Sequence, residues 1–177
     1  MLFNLFGKKE KFTIRDLIWI SGHSKMEGFK ELLKKHPDAV VIGWFNDTIN
    51  HFQQAMPSSN HIVRNARQLP SSTIENKTVI FLEHFPLDKK EEELMQNWKP
   101  ATVYVLNSLD EPLFKHFGGE RITGLMQKMG MNENESIEHK LISASIKNAQ
   151  QKISEKVISE HSSSSQEEWF RRNLPAK

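Results

Sequence analysis

Continuous apolar runs alternate with amphipathic stretches along the first two thirds of the chain. Between the runs, apolar residues recur at helical spacing after Ser24 and after Asn46, and an acidic stretch at 88–97 predicts a third helix. Strands that are apolar throughout and separated by helices are typical of a parallel sheet covered on both faces. The pattern therefore predicts an α/β fold with four to five parallel strands in three layers. The runs predict buried strands at 17–21, 39–45, 78–82 and 101–106, with a shorter one at 61–64.

The remainder of the chain is predicted to be helical. One helix or helix pair is expected at 110–131, and the boundaries that follow are an N-terminal segment (1–12), an α/β domain (13–135), a long C-terminal helix (136–161) and a flexible tail (162–177). The apolar stripe of the last helix is longer than the α/β layer can cover, and an apolar strip left in water marks an interface. A homodimer or another protein partner would cover it. The predicted contact residues are Ile153, Val157, Ile158, Trp169 and Phe170.

Composition narrows the classes of protein. The chain has 177 residues, no cysteine and a net charge of +2, which excludes disulfides and Cys-based metal sites and argues against a dedicated nucleic-acid binder. No apolar run approaches the roughly 18–20 residues of a membrane span, so we expect a cytoplasmic protein. The N-terminus offers peripheral membrane contact as an open alternative to an ordinary terminus, with lysines for the headgroups. The apolar residues that would enter the membrane are Leu2, Phe3, Leu5 and Phe6.

The turn after the first predicted strand has a single glycine, Gly22. There is no G-x-x-x-x-G-K-[ST] and no G-x-G-x-x-G, so we expect no nucleotide cofactor. The eight histidines show no H-x-x-x-H or H-E-x-x-H spacing, so we expect no metal site. The pair Asp110-Glu111 is interpreted as a helix start, where acids favour the helix dipole. Open parallel sheets place ligands at the carboxyl ends of their strands, and any small ligand or anion is expected there, on the N–H groups near Ser24. The residues of this predicted cleft are Ser21, Gly22, His23, Ser24, Asn46, Asp47, Glu83 and His84.

The segment 108–153 carries a distinctive string, SLDEPLFKHFGGERITGLMQKMGMNENESIEHKLISASIKNAQQKI. It resembles the end of the second motor domain of SecA, the bacterial protein-translocation ATPase, in which S-L-E-D-D-L is followed by F-G, R-[IL]-x-x-[LM]-M, L-G-M, I-E-[HS] and A-Q-[KR]-[KR]-[VI]. Most matching positions are interpreted as packing or helix-end residues, and Arg121 is expected to pair with Glu138. The residues taken as structural are Phe117, Gly118, Arg121, Gly130, Ile137, Glu138, His139, Ala149 and Gln150.

This resemblance implies a RecA-like domain of the helicase C-terminal type, but without its catalytic groups. In the family the arginines of R-H-E-S-R-R and R-G-R-x-G-R would act on a γ-phosphate, and here only Glu83-His84 and Gln96 match that stretch. The resemblance therefore implies a catalytically inactive SecA-like domain that binds a protein partner, in connection with export at the membrane. Two alternatives stay open: a motor component completed by a partner chain with a Walker A motif, and a helicase-derived nucleic-acid module.

Overall fold

The computed structural model describes residues 14–56, 62–116, 132 and 134–174. Their five strands form one sheet in the order β1-β5-β4-β2-β3, and all neighbours are parallel. This confirms the predicted α/β class. The strands are β1 (Ile14–Trp19), β2 (Val40–Gly43), β3 (Arg64–Asn65), β4 (Thr78–Phe81) and β5 (Thr102–Ser108).

Helices cover both faces of the sheet. They are α1 (Gly22–Lys35), α2 (Asn46–Gln54), α3 (Asp88–Trp98), α4 (Pro112–His116), α5 (Lys140–Ser154) and α6 (Gln166–Asn173), with short 3₁₀ turns at Ala66–Gln68 and Ser71–Thr73. On one face α1 and α2 bury Phe29 and Phe52, whose rings meet edge to face with centroids 5.1 Å apart. On the other face α3 to α6 bury Trp98, Ile146 and Trp169 against the sheet.

The SecA-like string meets the sheet at the edge strand β1. Ile137 and Ile18 exchange backbone hydrogen bonds of 2.9 and 3.0 Å as an antiparallel bridge. Beside this bridge, the guanidinium of Arg15 donates to both carboxylate oxygens of Glu138, at 2.9 and 2.6 Å. The predicted pairing of Glu138 with Arg121 stays a prediction, because Arg121 lies outside the described residues.

The C-terminal region differs most from the prediction. The long helix expected at 136–161 begins at Lys140 and ends at Ser154, because the segment before it is extended beside β1. The expected flexible tail instead contains α6, whose first turn is capped by Ser165 through the backbone N–H of Glu168, at 3.1 Å. The spacing S-x-x-E is that of a capping box.

The surface proposed for an intermolecular contact is largely internal. Ile153, Trp169 and Phe170 are buried in the core of the chain itself, and Val157 packs against that core. Ile158 alone of the five is fully exposed. The chain therefore buries most of this apolar strip in its own core, and a single exposed isoleucine does not make an apolar patch.

Several predicted residues fall outside the described part of the chain. They are the N-terminal Leu2, Phe3, Leu5 and Phe6, and the SecA-matching Phe117, Gly118, Arg121 and Gly130. The other SecA-matching residues have structural roles as bridge, ion-pair, capping or core residues. His139 caps α5, where its ring Nδ1 accepts the Leu141 N–H at 3.2 Å, and Ala149 and Gln150 are buried.

Candidate functional site

A cavity of about 500 Å³ opens at the carboxyl edge of the sheet. Because the strands are parallel, the loops after β1, β2, β4 and β5 meet there, and the start of α6 forms the remaining wall. The position is the one expected for a ligand cleft in an open α/β sheet. Its lining residues are Gly22, Lys25, Asp47, Thr48, His51, Phe52, Glu83, Ser108, Asp110, Glu111, Pro112, Ser165, Gln166 and Glu167.

The first turn of α1, where an anion was expected, is bonded to other groups of the same chain. The Gly22 N–H donates to a carboxylate oxygen of Asp110 at 3.0 Å. The Ser24 N–H donates to the hydroxyl of Ser21 at 3.2 Å, so Ser21 rather than Ser24 caps the helix. The Gly22 and Ser24 N–H groups, on which the anion prediction rested, therefore already have acceptors.

Lys25 forms the floor of the cavity beside this turn. Its side chain is only 4% exposed, and its ammonium forms an ion pair with Glu111 and lies 5.5 Å from the ring centroid of Phe52. The Ser108 hydroxyl donates to the same carboxylate oxygen of Glu111 at 3.2 Å. The other oxygen, Oε2, is buried and has no hydrogen-bond partner among the described residues.

Glu83 lies across the cavity at the end of β4. It is 4% exposed, and its carboxylate accepts the Phe45 N–H at 3.3 Å and the Thr48 hydroxyl at 2.8 Å. Burial raises the pKa of Glu83 to about 7, and the like charge of Glu111 adds to this rise, while Lys25 opposes it. A buried carboxyl with this pKa changes its charge near neutral pH.

His84, the next residue along the chain, belongs to a separate buried network. Its Nε2 lies 2.9 Å from Asp16 and its Nδ1 lies 3.0 Å from Glu91, both carboxylates being buried. Burial opposes a charge on this ring, but Glu91 and Asp16 together outweigh it and raise the pKa of His84 to about 10. Burial likewise opposes ionisation of Asp16, yet His84 lowers the pKa of that carboxyl. The network therefore holds an imidazolium between two carboxylates.

Gln150, which matches the SecA pattern, extends this network into α5. Its side-chain amide donates to Glu91 at 3.0 Å and to the Phe85 carbonyl at 2.7 Å. Gln166 of α6 reaches the same strand end, because its amide donates to the His84 carbonyl at 3.1 Å. These bonds thus fasten both C-terminal helices to the sheet, and of the residues that make them only Gln166 is part of the cavity lining.

The structure therefore places the eight predicted cleft residues in different surroundings. Gly22, Asp47 and Glu83 line the cavity, Ser21 and Ser24 form the α1 cap, and His84 faces the other network. The two remaining residues do not line the cavity. They are His23, which is exposed, and Asn46, whose side chain accepts a hydrogen bond from Asn65 at 3.2 Å.

The sequence interpretation missed Lys25 and the contacts of Asp110-Glu111. The acidic pair directly precedes α4, as expected of a helix start, and both carboxylates also bond to α1. Lys25 gives no local signal, since it occupies an ordinary helical position. Only the adjacency of β1 and β5 brings these residues together.

Comparison with known proteins concerns one part of the chain. Stretches of 54 residues are 52% identical to the protein translocase subunit SecA of Acidithiobacillus ferrooxidans, 52% to that of Alkaliphilus oremlandii and 54% to that of Desulforapulum autotrophicum. This chain carries a SecA-like segment. The match covers 30% of this chain and only 6% of each SecA. No protein-family model matches the chain.

The matched proteins are named as subunits of a protein translocase, and this chain spans only a small part of their length. The placement of the segment at the end of the second motor domain stays a prediction. Within the described residues, no helix is long and apolar enough to cross a membrane, and no three His, Asp or Glu side chains are placed to hold a metal ion.

Proposed function

We propose that this protein is an interaction module that binds a component of the protein-translocation machinery and does not hydrolyse ATP. The observation that carries the proposal is the SecA-like segment, about half of whose residues are identical in several SecA chains. These relatives are named as subunits of a protein translocase, and a segment retained at this identity within an otherwise different chain supports a shared partner.

Among the described residues of this segment, the exposed side of α5 is best suited to contact a partner. Ile146, Ala149 and Ile153 pack inward, whereas Leu141 at the start of the helix is 71% exposed. Lys147 also faces outward, where its ammonium forms a partly exposed ion pair with Glu92. Leu141 and Lys147 on the same helix thus offer a partner one apolar and one charged contact, without a large apolar patch.

The lack of ATP hydrolysis is supported by both sequence and geometry. The chain has no Walker A motif. At the start of α1, the Gly22 N–H and the Lys25 ammonium are bonded to Asp110 and Glu111. A triphosphate bound at this turn would lie next to the carboxylates of Asp110 and Glu111. The negative charges of the phosphates and of these carboxylates would repel each other.

A crosslinking experiment in the native cells tests the partner. Tagged protein should recover translocase subunits, and Leu141→Glu should reduce the recovery at least about tenfold, which corresponds to about 1.4 kcal/mol. Lys34→Glu on the exposed side of α1 is the matched control and should recover the same subunits as wild type. Recovery of no translocase subunit above an unrelated tagged protein would overturn the proposal.

Nucleotide assays test the second half of the proposal. A fluorescent ATP analogue should show no saturable binding, and purified protein should release no phosphate above background. Turnover that a substitution in this chain abolishes would instead favour a motor component completed by a partner chain.

We place the protein in the cytoplasm with peripheral membrane contact through its N-terminus. The residues that would enter the membrane lie outside the described part, so vesicle flotation is the direct test. Replacement of Leu2, Phe3, Leu5 and Phe6 by serine should abolish binding to anionic vesicles. Flotation that is equal for both proteins, or absent for wild type, would contradict this contact.

A further inference from the structure

Glu83 acts as the N-terminal cap of a helix to which it does not belong. The residue before α2 is Phe45, which has no side-chain acceptor to offer the first turn. The carboxylate of Glu83, at the end of the neighbouring strand, accepts the Phe45 N–H and the Thr48 hydroxyl instead, at 3.3 and 2.8 Å. One buried carboxyl therefore ties the first turn of α2 to the end of β4.

No cation neutralises this carboxyl directly. Among the described residues, none places an ammonium or guanidinium in ion-pair contact with Glu83, and the nearby Lys25 is paired with Glu111. The cavity still gives water access to the carboxyl, so a proton can reach it. The charged and titratable groups that share this cavity are Lys25 of α1, Asp47 and His51 of α2, Asp110 and Glu111 before α4, and Glu167 of α6.

The first turn of α2 also holds the segment that leads into α6. The Asp47 N–H donates to the Ser164 carbonyl at 3.0 Å, and the Ser164 hydroxyl donates to the Asp47 carboxylate at 3.2 Å. Asp47 is only two residues from Phe45. A change in the bond between Glu83 and Phe45 therefore also affects the contact of this turn with Ser164.

We propose that Glu83 is a proton-linked latch that holds the first turn of α2, and through it the segment around Ser164, more firmly against the sheet when its carboxyl is neutral. The ionised carboxylate accepts a stronger bond from the Phe45 N–H, because a charge-assisted bond is about twice as strong as a neutral one. That bond and the helix dipole do not offset the cost of a buried charge that no cation of the described residues contacts. Ionisation therefore favours opening of the turn, which returns the carboxylate to water.

The buried position of Glu83 sets the pH range in which the latch works. Burial raises the pKa of this carboxyl to about 7, so the carboxyl changes its charge in the neutral range. A solvated glutamate changes its charge near pH 4.3 and would stay ionised throughout the neutral range. The latch is independent of the proposed translocation partner, and its test needs no partner.

An NMR titration of the full chain from about pH 5 to about pH 9 tests the latch. The side-chain carboxyl carbon of Glu83 should titrate near neutral pH. The amide proton of Phe45 should change its chemical shift with the same midpoint, and the amide of Asp47 should follow. A Glu83 carboxyl that titrates near pH 4.3, or Phe45 and Asp47 amides without the common step, would overturn the proposal.

Two variants assign the step to this carboxyl. Glu83→Gln keeps the shape but cannot ionise, so the shift at Phe45 should be lost. Glu75→Gln changes an exposed glutamate and should keep the wild-type step. A step that persists in Glu83→Gln would belong to another group and would refute the latch. If Glu83→Gln does not fold, the carboxyl carbon of the wild-type protein still decides the question.

Discussion

Replacement of His84 by glutamine is expected to destabilise the protein strongly. The imidazolium lies between Asp16 and Glu91, at 2.9 and 3.0 Å, and all three side chains are buried. Glutamine removes the positive charge and leaves two carboxylates in one buried site. Breaking a buried charge network by removing one partner typically costs about 3–5 kcal/mol, and we expect His84→Gln to fall in this range at pH 7.

The pH dependence of stability identifies the charge as the cause. The pKa of His84 is raised to about 10, above the value of about 6.5 for an unfolded chain. The stabilisation is therefore fully present below about pH 6.5 and is lost as the pH rises through about 10. With about 1.4 kcal/mol per pKa unit, the loss over this window is at most about 5 kcal/mol. The glutamine variant should lack this alkaline loss.

Urea unfolding followed by tryptophan fluorescence measures both effects, since Trp169 is fully buried in the folded chain. His23→Gln on the exposed start of α1 is the control and should change the free energy of unfolding by less than about 0.5 kcal/mol. A loss below about 1 kcal/mol for His84→Gln at pH 7 would refute the reasoning. So would an alkaline destabilisation that is equal in the variant and in wild type.

Four further substitutions probe packing and surface charge in the same urea assay. Trp169→Ala should cost about 3–5 kcal/mol because it empties a fully buried site, and a loss under about 1 kcal/mol would show that α6 does not dock. Gly28→Ala should lower the free energy of unfolding by about 1–3 kcal/mol, because the added Cβ would overlap the indole of Trp19 at the end of β1. Gly22→Ala should leave it nearly unchanged, because the nearest atom to its added Cβ is 3.7 Å away. Glu138→Gln should cost at most about 1 kcal/mol, since the pair with Arg15 is about 40% exposed; a larger loss would mean that this pair fixes the edge of the sheet.

The apolar pattern was sufficient to predict the centre of the sheet, because β2, β4 and β5 are buried on both faces and each forms a continuous apolar run. The run at 78–82 contains β4 (Thr78–Phe81), and the run at 101–106 overlaps β5 (Thr102–Ser108). The first strand was placed too late, since β1 begins at Ile14 with alternating burial and charged residues. An edge strand is partly exposed, so its pattern is weaker than that of a central strand.

Serine-rich composition misled the interpretation of the C-terminus. The run 162–165 was expected to be a flexible spacer, yet Ser165 caps α6 and Gln166 accepts the Leu113 N–H at 2.8 Å. The spacing of Ser165 and Glu168 was a local signal for this helix. The burial of Trp169 against Phe85, with ring centroids 5.9 Å apart, depends on long-range packing that no local pattern contains.

Strand order explains why the cavity could be located from the sequence while its chemistry could not. A parallel sheet always collects the ends of its strands on one edge, so Gly22, Asp47 and Glu83 were expected to lie together. Which ends are neighbours depends on the order of the strands, and here β5 lies beside β1. That adjacency places Asp110 and Glu111 against the first turn of α1. The two carboxylates thus occupy the Gly22 N–H and the Lys25 ammonium, which a phosphate would need. Substitutions in the glycine turn alone would therefore not create a phosphate site while both carboxylates remain.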